Sequence, residues 1–162
     1  MSDQTESTGF DYTLEEIQNQ LDEQARTIYT ATTIEHAYHP RNWGRMDRAH
    51  AHKTWQGPCG DIMEIYLRLD KGKTDEAVIK EISFLTDGCG PSVACGSMLT
   101  TIVQGKTLAQ ARNVEPRDLI IALGGLPEES THCAFLAVHT LQEAIDGWYT
   151  SVQKRTEEAE HG

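Results

Sequence analysis

From Met63 to Thr86 the chain carries a two-residue hydrophobic alternation on either side of a turn, and no other stretch limits the fold as much. Met63, Ile65, Leu67 and Leu69 alternate with Glu64, Tyr66 and Arg68. Successive side chains of a strand point to opposite faces, so this period gives a strand with one buried face. The DKGKTD segment that follows is a turn. Ala77 to Thr86 reads as the returning strand, with Val78, Ile82 and Phe84 on one side. The two make an antiparallel hairpin. Its apolar face is covered by Ala134, Val138, Leu141, Ile145 and Trp148, which recur at steps of four, three, four and three. That spacing predicts a long amphipathic C-terminal helix packed on the sheet by its apolar stripe.

Between hairpin and final helix the chain is punctuated by proline and glycine. Pro91 suits a first helical position, where its missing N–H does no harm. A helix is expected over Val93–Val103, ending near Gly105. Thr107 opens a short helix, and Glu115-Pro116 opens another that ends at Gly124-Gly125. Strands followed by helices on one face imply an α+β fold.

On the N-terminal side, Leu14, Ile17, Leu21, Ala25 and Ile28 form one apolar helical stripe, opened by a Thr13/Glu16 capping box. The stripe serves either as core packing, the reading we favour, or as a dimer face. A second short helix runs from Thr33 to Tyr38 and stops before Pro40, since the residue preceding proline is pushed out of the helical region. The link HPRNWGRMDRAHAHKTWQGPCGD reads as irregular, with His36, His39, His50 and His52 as solvated residues and Trp43 and Trp55 as cover for a site or core edge. The organisation is thus a polar tail and extra helix (1–31), one compact domain (32–150) and a polar tail (151–162).

A formal net charge of −11 argues against non-specific binding to nucleic acid or anionic lipid. No apolar run is long enough to span a membrane, and the acidic start lacks the regions of a signal peptide. The expected compartment is the cytoplasm, where the four cysteines stay reduced rather than form a disulfide framework.

Chemistry concentrates at three junctions. GPCGD carries Cys59 and Asp61 before a strand, DGCGPS carries Cys89 at a strand-to-helix turn, and THC carries His132 and Cys133 at the start of the last helix. One end of the hairpin can bring together three thiols, a carboxylate and an imidazole. Thiolates are the ligands of iron–sulfur clusters and zinc. Neighbouring glycines let backbone amides approach a sulfur and tune a bound metal. Helix N-termini favour the thiolate, and Cys89 and Cys133 are both placed to benefit. Asp61 is a hard oxygen ligand, so the mixed set suits a site that releases its metal as well as holds it.

Five motifs in order, HPRNWG (39–44), PCGD (58–61), DGCGPSVACGS (87–97), GKTLAQA (105–111) and LPEESTHC (126–133), resemble the iron–sulfur cluster assembly scaffold family, both the free-standing IscU type and the N-terminal domain of NifU. The resemblance covers Thr32 to Tyr149. It implies a three-stranded antiparallel sheet with helices packed on it. It also implies a scaffold rather than an enzyme, building a 2Fe-2S cluster from iron and persulfide sulfur and passing it to apo iron–sulfur proteins. Cys59, Cys89 and Cys133 match the family cysteines, Asp61 the aspartate held to keep the cluster labile, and His132 the histidine beside the third cysteine. Cys133 is the implied acceptor of sulfur from a cysteine desulfurase. The fourth ligand is Asp61 or His132, and a homodimer is compatible with the resemblance.

The chain also departs from the family. Leu126-Pro127-Glu128-Glu129-Ser130 stands where many members carry a lysine-bearing segment that docks a dedicated Hsp70 chaperone, which puts that partner in doubt. Cys95 reads either as a small buried thiol or as an additional cluster ligand. The competing function is a zinc-containing sulfurtransferase, with zinc at Cys59, Asp61, Cys89 and Cys133. Zinc also suits the same residues in a cluster-free scaffold.

Overall fold

The computed structural model describes residues 16, 19–20, 22–70 and 76–161. The stripe residues Leu14, Ile17 and Leu21, the Thr13 cap and most of the DKGKTD turn lie outside them. The described sheet has three antiparallel strands in the order β1 (Ala51–Gln56), β2 (Ile62–Leu69), β3 (Ile79–Thr86). Met63, Ile65, Leu67 and Leu69 of β2 are buried, as the alternation requires. Each such side chain taken fully out of water contributes about 1.5–3 kcal/mol.

Two parts of the sheet differ from the sequence reading. A bulge between Arg68 and Leu69 pairs Arg68 with Glu81 but Leu69 with Ile79. One residue of slip reverses the inward side chain. Ile79 is therefore buried with Ile82 and Phe84, while Val78 falls outside the strand and bridges Thr107. The second difference is β1, which lies inside the stretch read as irregular link. Its residues Ala51 to Gln56 include little apolar surface, and only Ala51 is buried. Pairing with β2, from Ala51–Leu67 to Gln56–Ile62, makes it a strand. HPRNWG is also ordered by the sheet: Phe84 donates to Asn42 O and accepts from Gly44 N, each at 3.0 Å.

Among the described residues the helices after Thr30 are α1 (Ala31–Tyr38), α2 (Gly90–Val103), α3 (Leu108–Arg112), α4 (Pro116–Ala122) and α5 (Thr131–His161), of which α2 and α5 make the main contacts with the sheet. α2 has Cys89 as its N-cap with Pro91 in the first turn. Thr107 and Gln110 close a capping box on α3. α5 packs across β1, β2, α2 and α4, burying Ala134, Val138, Leu141 and Ile145. It continues as helix through the polar segment 151–161, where residues 153–160 are exposed. Among the described residues no helix is long and apolar enough to cross a membrane.

The contact of α2 with the sheet depends on Gly96. A Cβ there would stand 2.4 Å from two ring carbons of Phe84. α1 is tied to α2 by His36, which is buried rather than solvated. Its Nδ1 lies 2.7 Å from Ser97 Oγ, and Ser97 Oγ also accepts from Arg41 N. Burial, then the nearby Arg41 charge, hold the His36 pKa below its ordinary value. His39, His50 and His52 are exposed, as expected. Ahead of α1, residues 22–28 are helical, and Tyr29 Oη lies 3.2 Å from Ser130 Oγ. Ile28, placed by its spacing on a packing stripe, is 59% exposed.

Candidate metal centre

The three chemical junctions meet at one end of the sheet. Gly57 to Gly60 form the β1–β2 turn, closed by Gly57 N to Asp61 O at 2.9 Å and Gly60 N to Gly57 O at 3.0 Å. Gly60 has φ +94°, which favours glycine, and this turn sets Cys59 beside Asp61. The β3–α2 loop is fastened to the same place. Asp87 Oδ1 accepts from Ile62 N at 2.7 Å, and Thr86 Oγ1 donates to Ile62 O at 2.6 Å. Cys89 follows as the exposed N-cap of α2, its side chain making no cap bond. Cys133, the third residue of α5, faces inward and is buried.

One ligand atom each from Cys59, Asp61 and His132 lie within 4.8 Å of one another, and so do those of Asp61, Cys89 and Cys133. Asp61 belongs to both groups. His132 Nε2 is 3.6 Å from Cys133 Sγ, which joins the groups a second time. All five residues singled out by sequence therefore converge. Cys95 does not join either group; it lies fully buried in the core with Phe84 and Leu99.

The electrostatics of Cys133 differ from the sequence expectation. Burial pushes its thiol up to about 11; the Ser92 hydroxyl opposes the shift, and Cys89 and Asp61 add to it. Burial is the largest influence on this thiol near the start of α5. A 3₁₀ turn, Glu128–Ser130, runs directly into it, and Thr131 N–H is already bonded to Glu128 O. Burial raises the Cys95 thiol further still.

Sequence reasoning missed Ser92. Its Oγ donates toward Asp61 Oδ2 at 3.1 Å and toward Cys133 Sγ at 3.3 Å. The available signal was its place just after Pro91 in the first turn of α2, on the end of the helix that carries Cys89.

Beside the centre lies an open, mainly apolar groove of about 390 Å³. Trp55, Pro58 and Phe135 line it, with Cys59 and His132 at the boundary between groove and ligands. Phe135 is 60% exposed, and the Trp55 and His139 rings lie 4.3 Å apart. Trp55 thus covers the site's edge, whereas Trp43 sits edge-on to Phe84 at 5.3 Å.

Three thiols, a carboxylate and an imidazole on an α+β frame form a donor set that could hold a soft or borderline metal. The chain belongs to the family described as the NifU-like N terminal domain, which matches residues 28–156. It is 36% identical over 132 residues to the iron-sulfur cluster assembly scaffold protein IscU of Aquifex aeolicus, covering 81% of this chain and 82% of that one. It is 35% identical over 130 residues to the nitrogen fixation protein NifU of Azotobacter chroococcum, covering 80% of this chain and 41% of that longer one. In fold it is similar to the N-terminal part of a nitrogen-fixing NifU-like protein from Brucella abortus, with TM-score 0.57, 19% identity, and 76% and 95% of the two chains covered.

Proposed function

We propose that this chain is a scaffold on which a 2Fe-2S cluster is assembled from iron and persulfide sulfur and then passed to apo iron–sulfur proteins. The observation that carries this reading is the convergence of Cys59, Cys89, Cys133, His132 and Asp61 around one shared carboxylate. Two adjoining groups joined by Asp61 suit a two-metal cargo better than one isolated ion. Cys59, Cys89 and Cys133 supply thiolates, and Asp61 or His132 completes the set. A carboxylate matches sulfur-rich iron poorly and so favours release over storage. Names of relatives point the same way, since they are called cluster assembly scaffolds.

Cys133 is the proposed sulfur acceptor: its sulfur attacks the outer sulfur of a desulfurase persulfide, and the donor cysteine departs as thiolate. Cys133 is buried, and the groove lined by Pro58, Cys59, His132 and Phe135 lies beside its neighbour His132 as the place for a donor segment to dock. A cysteine desulfurase and apo iron–sulfur acceptors are the proposed partners. The segment Leu126 to Ser130 puts the lysine-reading Hsp70 in doubt as a partner. Ser130 occupies the corresponding place, is buried and meets Tyr29, while Glu128 and Glu129 face solvent. Zinc takes the same ligands in the cluster-free protein; a zinc sulfurtransferase is the weaker reading because the relatives are named as cluster assembly scaffolds. The test is anaerobic incubation with iron(II), cysteine, a desulfurase and a thiol reductant that supplies the remaining electrons for persulfide sulfur to become sulfide, followed by addition of an apo-ferredoxin. The scaffold reading expects 2Fe-2S absorption on this chain that moves to the ferredoxin. Persulfide on Cys133 without any cluster would favour the sulfurtransferase.

A further inference from the structure

Ser92 hydrogen-bonds to two candidate ligands, Asp61 and Cys133, without being a ligand itself. It is 0% exposed. Its hydroxyl lies 3.1 Å from Asp61 Oδ2 and 3.3 Å from Cys133 Sγ. A serine or threonine inside a helix commonly returns its hydroxyl to the carbonyl of the preceding turn. Thr101 and Thr140 do so here, donating to Ser97 O and Leu136 O. Ser92 instead directs its hydroxyl into the site.

The backbone is shaped around this contact. A Cβ on Gly88 would stand 2.7 Å from Ser92 Oγ and 2.9 Å from Asp61 Oδ2. Both distances are far inside van der Waals contact, so only glycine at 88 lets the hydroxyl reach the carboxylate. The glycine is held there by its neighbours: Gly88 N donates to Thr86 Oγ1 at 3.0 Å, and Asp87 clamps Ile62 N.

A serine hydroxyl has one proton, and an ionised carboxylate only accepts. The proton cannot serve Asp61 and Cys133 at full strength together. We propose that Ser92 is a positioning residue whose single donor is shared between Asp61 and Cys133, so that capture of Asp61 by the incoming metal hands the donor to the Cys133 sulfur. This rests on the scaffold reading above. If iron engages Asp61 Oδ2, the oxygen that Ser92 meets, the Cys133 sulfur is the other acceptor within reach of the hydroxyl. A hydrogen bond to a ligating sulfur draws electron density from it and favours the reduced cluster. Arrival of metal at the labile ligand is thereby coupled to the charge on the sulfur that anchors the cargo.

Four proteins test this: wild type, Ser92→Ala, Asp61→Ala and the double variant, each reconstituted anaerobically. The readings are the cluster reduction potential and the Fe–Sγ stretching frequency by resonance Raman. Ser92→Ala is expected to shift the potential negative and the stretch upward in both backgrounds, since Asp61 no longer competes for the donor in the loaded protein. If all four hold clusters and the serine change moves neither reading, the proposal is overturned and the scaffold reading stands. If wild type assembles no cluster, both fall. Should Ser92→Ala hold no cluster, cobalt(II) bound to the metal-free proteins replaces iron. A shifted thiolate-to-cobalt charge-transfer band then supports the proposal, and bands coincident with wild type overturn it.

Discussion

The four thiols of the metal-free protein should react with an alkylating agent in a strict order. Cys59 and Cys89 are exposed, whereas Cys95 and Cys133 are buried. Alkylation consumes the thiolate. At pH 8 an ordinary thiol with pKa near 8.5 is about one-quarter ionised. Cys133, pushed up to about 11 mainly by burial, is about one part in a thousand ionised at that pH. Ionisation alone therefore slows Cys133 by about two hundredfold relative to an unperturbed thiol. Burial adds the cost of opening the site, so that figure is a lower bound. Cys95 reacts only when the core opens. The assay is iodoacetamide treatment under anaerobic, chelated conditions, quenched over time, then denaturation with an isotopically distinct reagent and peptide mapping by mass spectrometry. Between pH 8 and 10 the Cys133 rate should still climb about tenfold per pH unit, after an ordinary thiol has levelled off. Cys133 modified as fast as Cys89 at pH 8 would refute the account of a buried, protonated sulfur. The same shift makes the folded chain keep a proton that the unfolded chain loses above about 8.5, so stability should decline from there toward 11.

Other perturbations reach separate parts of the structure. Asp61→Ala removes the hard oxygen ligand and should lengthen cluster lifetime while slowing transfer to an apo-ferredoxin; faster cluster loss contradicts the labile-ligand account. Gly96→Ala sets a Cβ 2.4 Å from the buried Phe84 ring. It should cost about 1–3 kcal/mol by overpacking, outweighing a helix-propensity gain of about 1 kcal/mol, and a thermal midpoint at or above wild type would be inconsistent with the contact. Burial, then the Arg41 charge, lower the His36 pKa in the fold below the value of 6.5 at which the unfolded chain takes up the proton. Stability should thus fall as pH drops below that value, and the denaturant midpoint of His36→Asn should fall less between pH 7.5 and 5.5. An equal drop in both proteins would remove His36 as the cause.

How far the sequence reached depended on whether a feature was local. The β2 alternation, the Pro91 and Pro116 helix starts and the α5 stripe are written in neighbouring residues, and all were legible. The bulge at Arg68/Leu69 was not, because one slipped residue in β3 leaves no mark in composition yet exchanges Val78 for Ile79 in the core. β1 escaped for the opposite reason: its strand character comes from pairing with β2, not from its own apolar content. His36 sits among polar residues in the chain but under α2 in space. At the centre, all five candidate ligands were named from their junction positions, and their convergence followed once β1, β2 and α2 were placed. Ser92 was passed over because serine carries no metal signal, and only distance reveals what it touches.

The account stands or falls on what the chain holds when kept from oxygen. Protein purified anaerobically from cells supplied with iron should be brown, with iron and acid-labile sulfide in equal amounts and the visible absorption of a 2Fe-2S cluster. A colourless protein with zinc at Cys59, Asp61, Cys89 and Cys133 and no sulfide, unable to take up a cluster when zinc is chelated and iron and sulfide are supplied, would contradict the scaffold assignment.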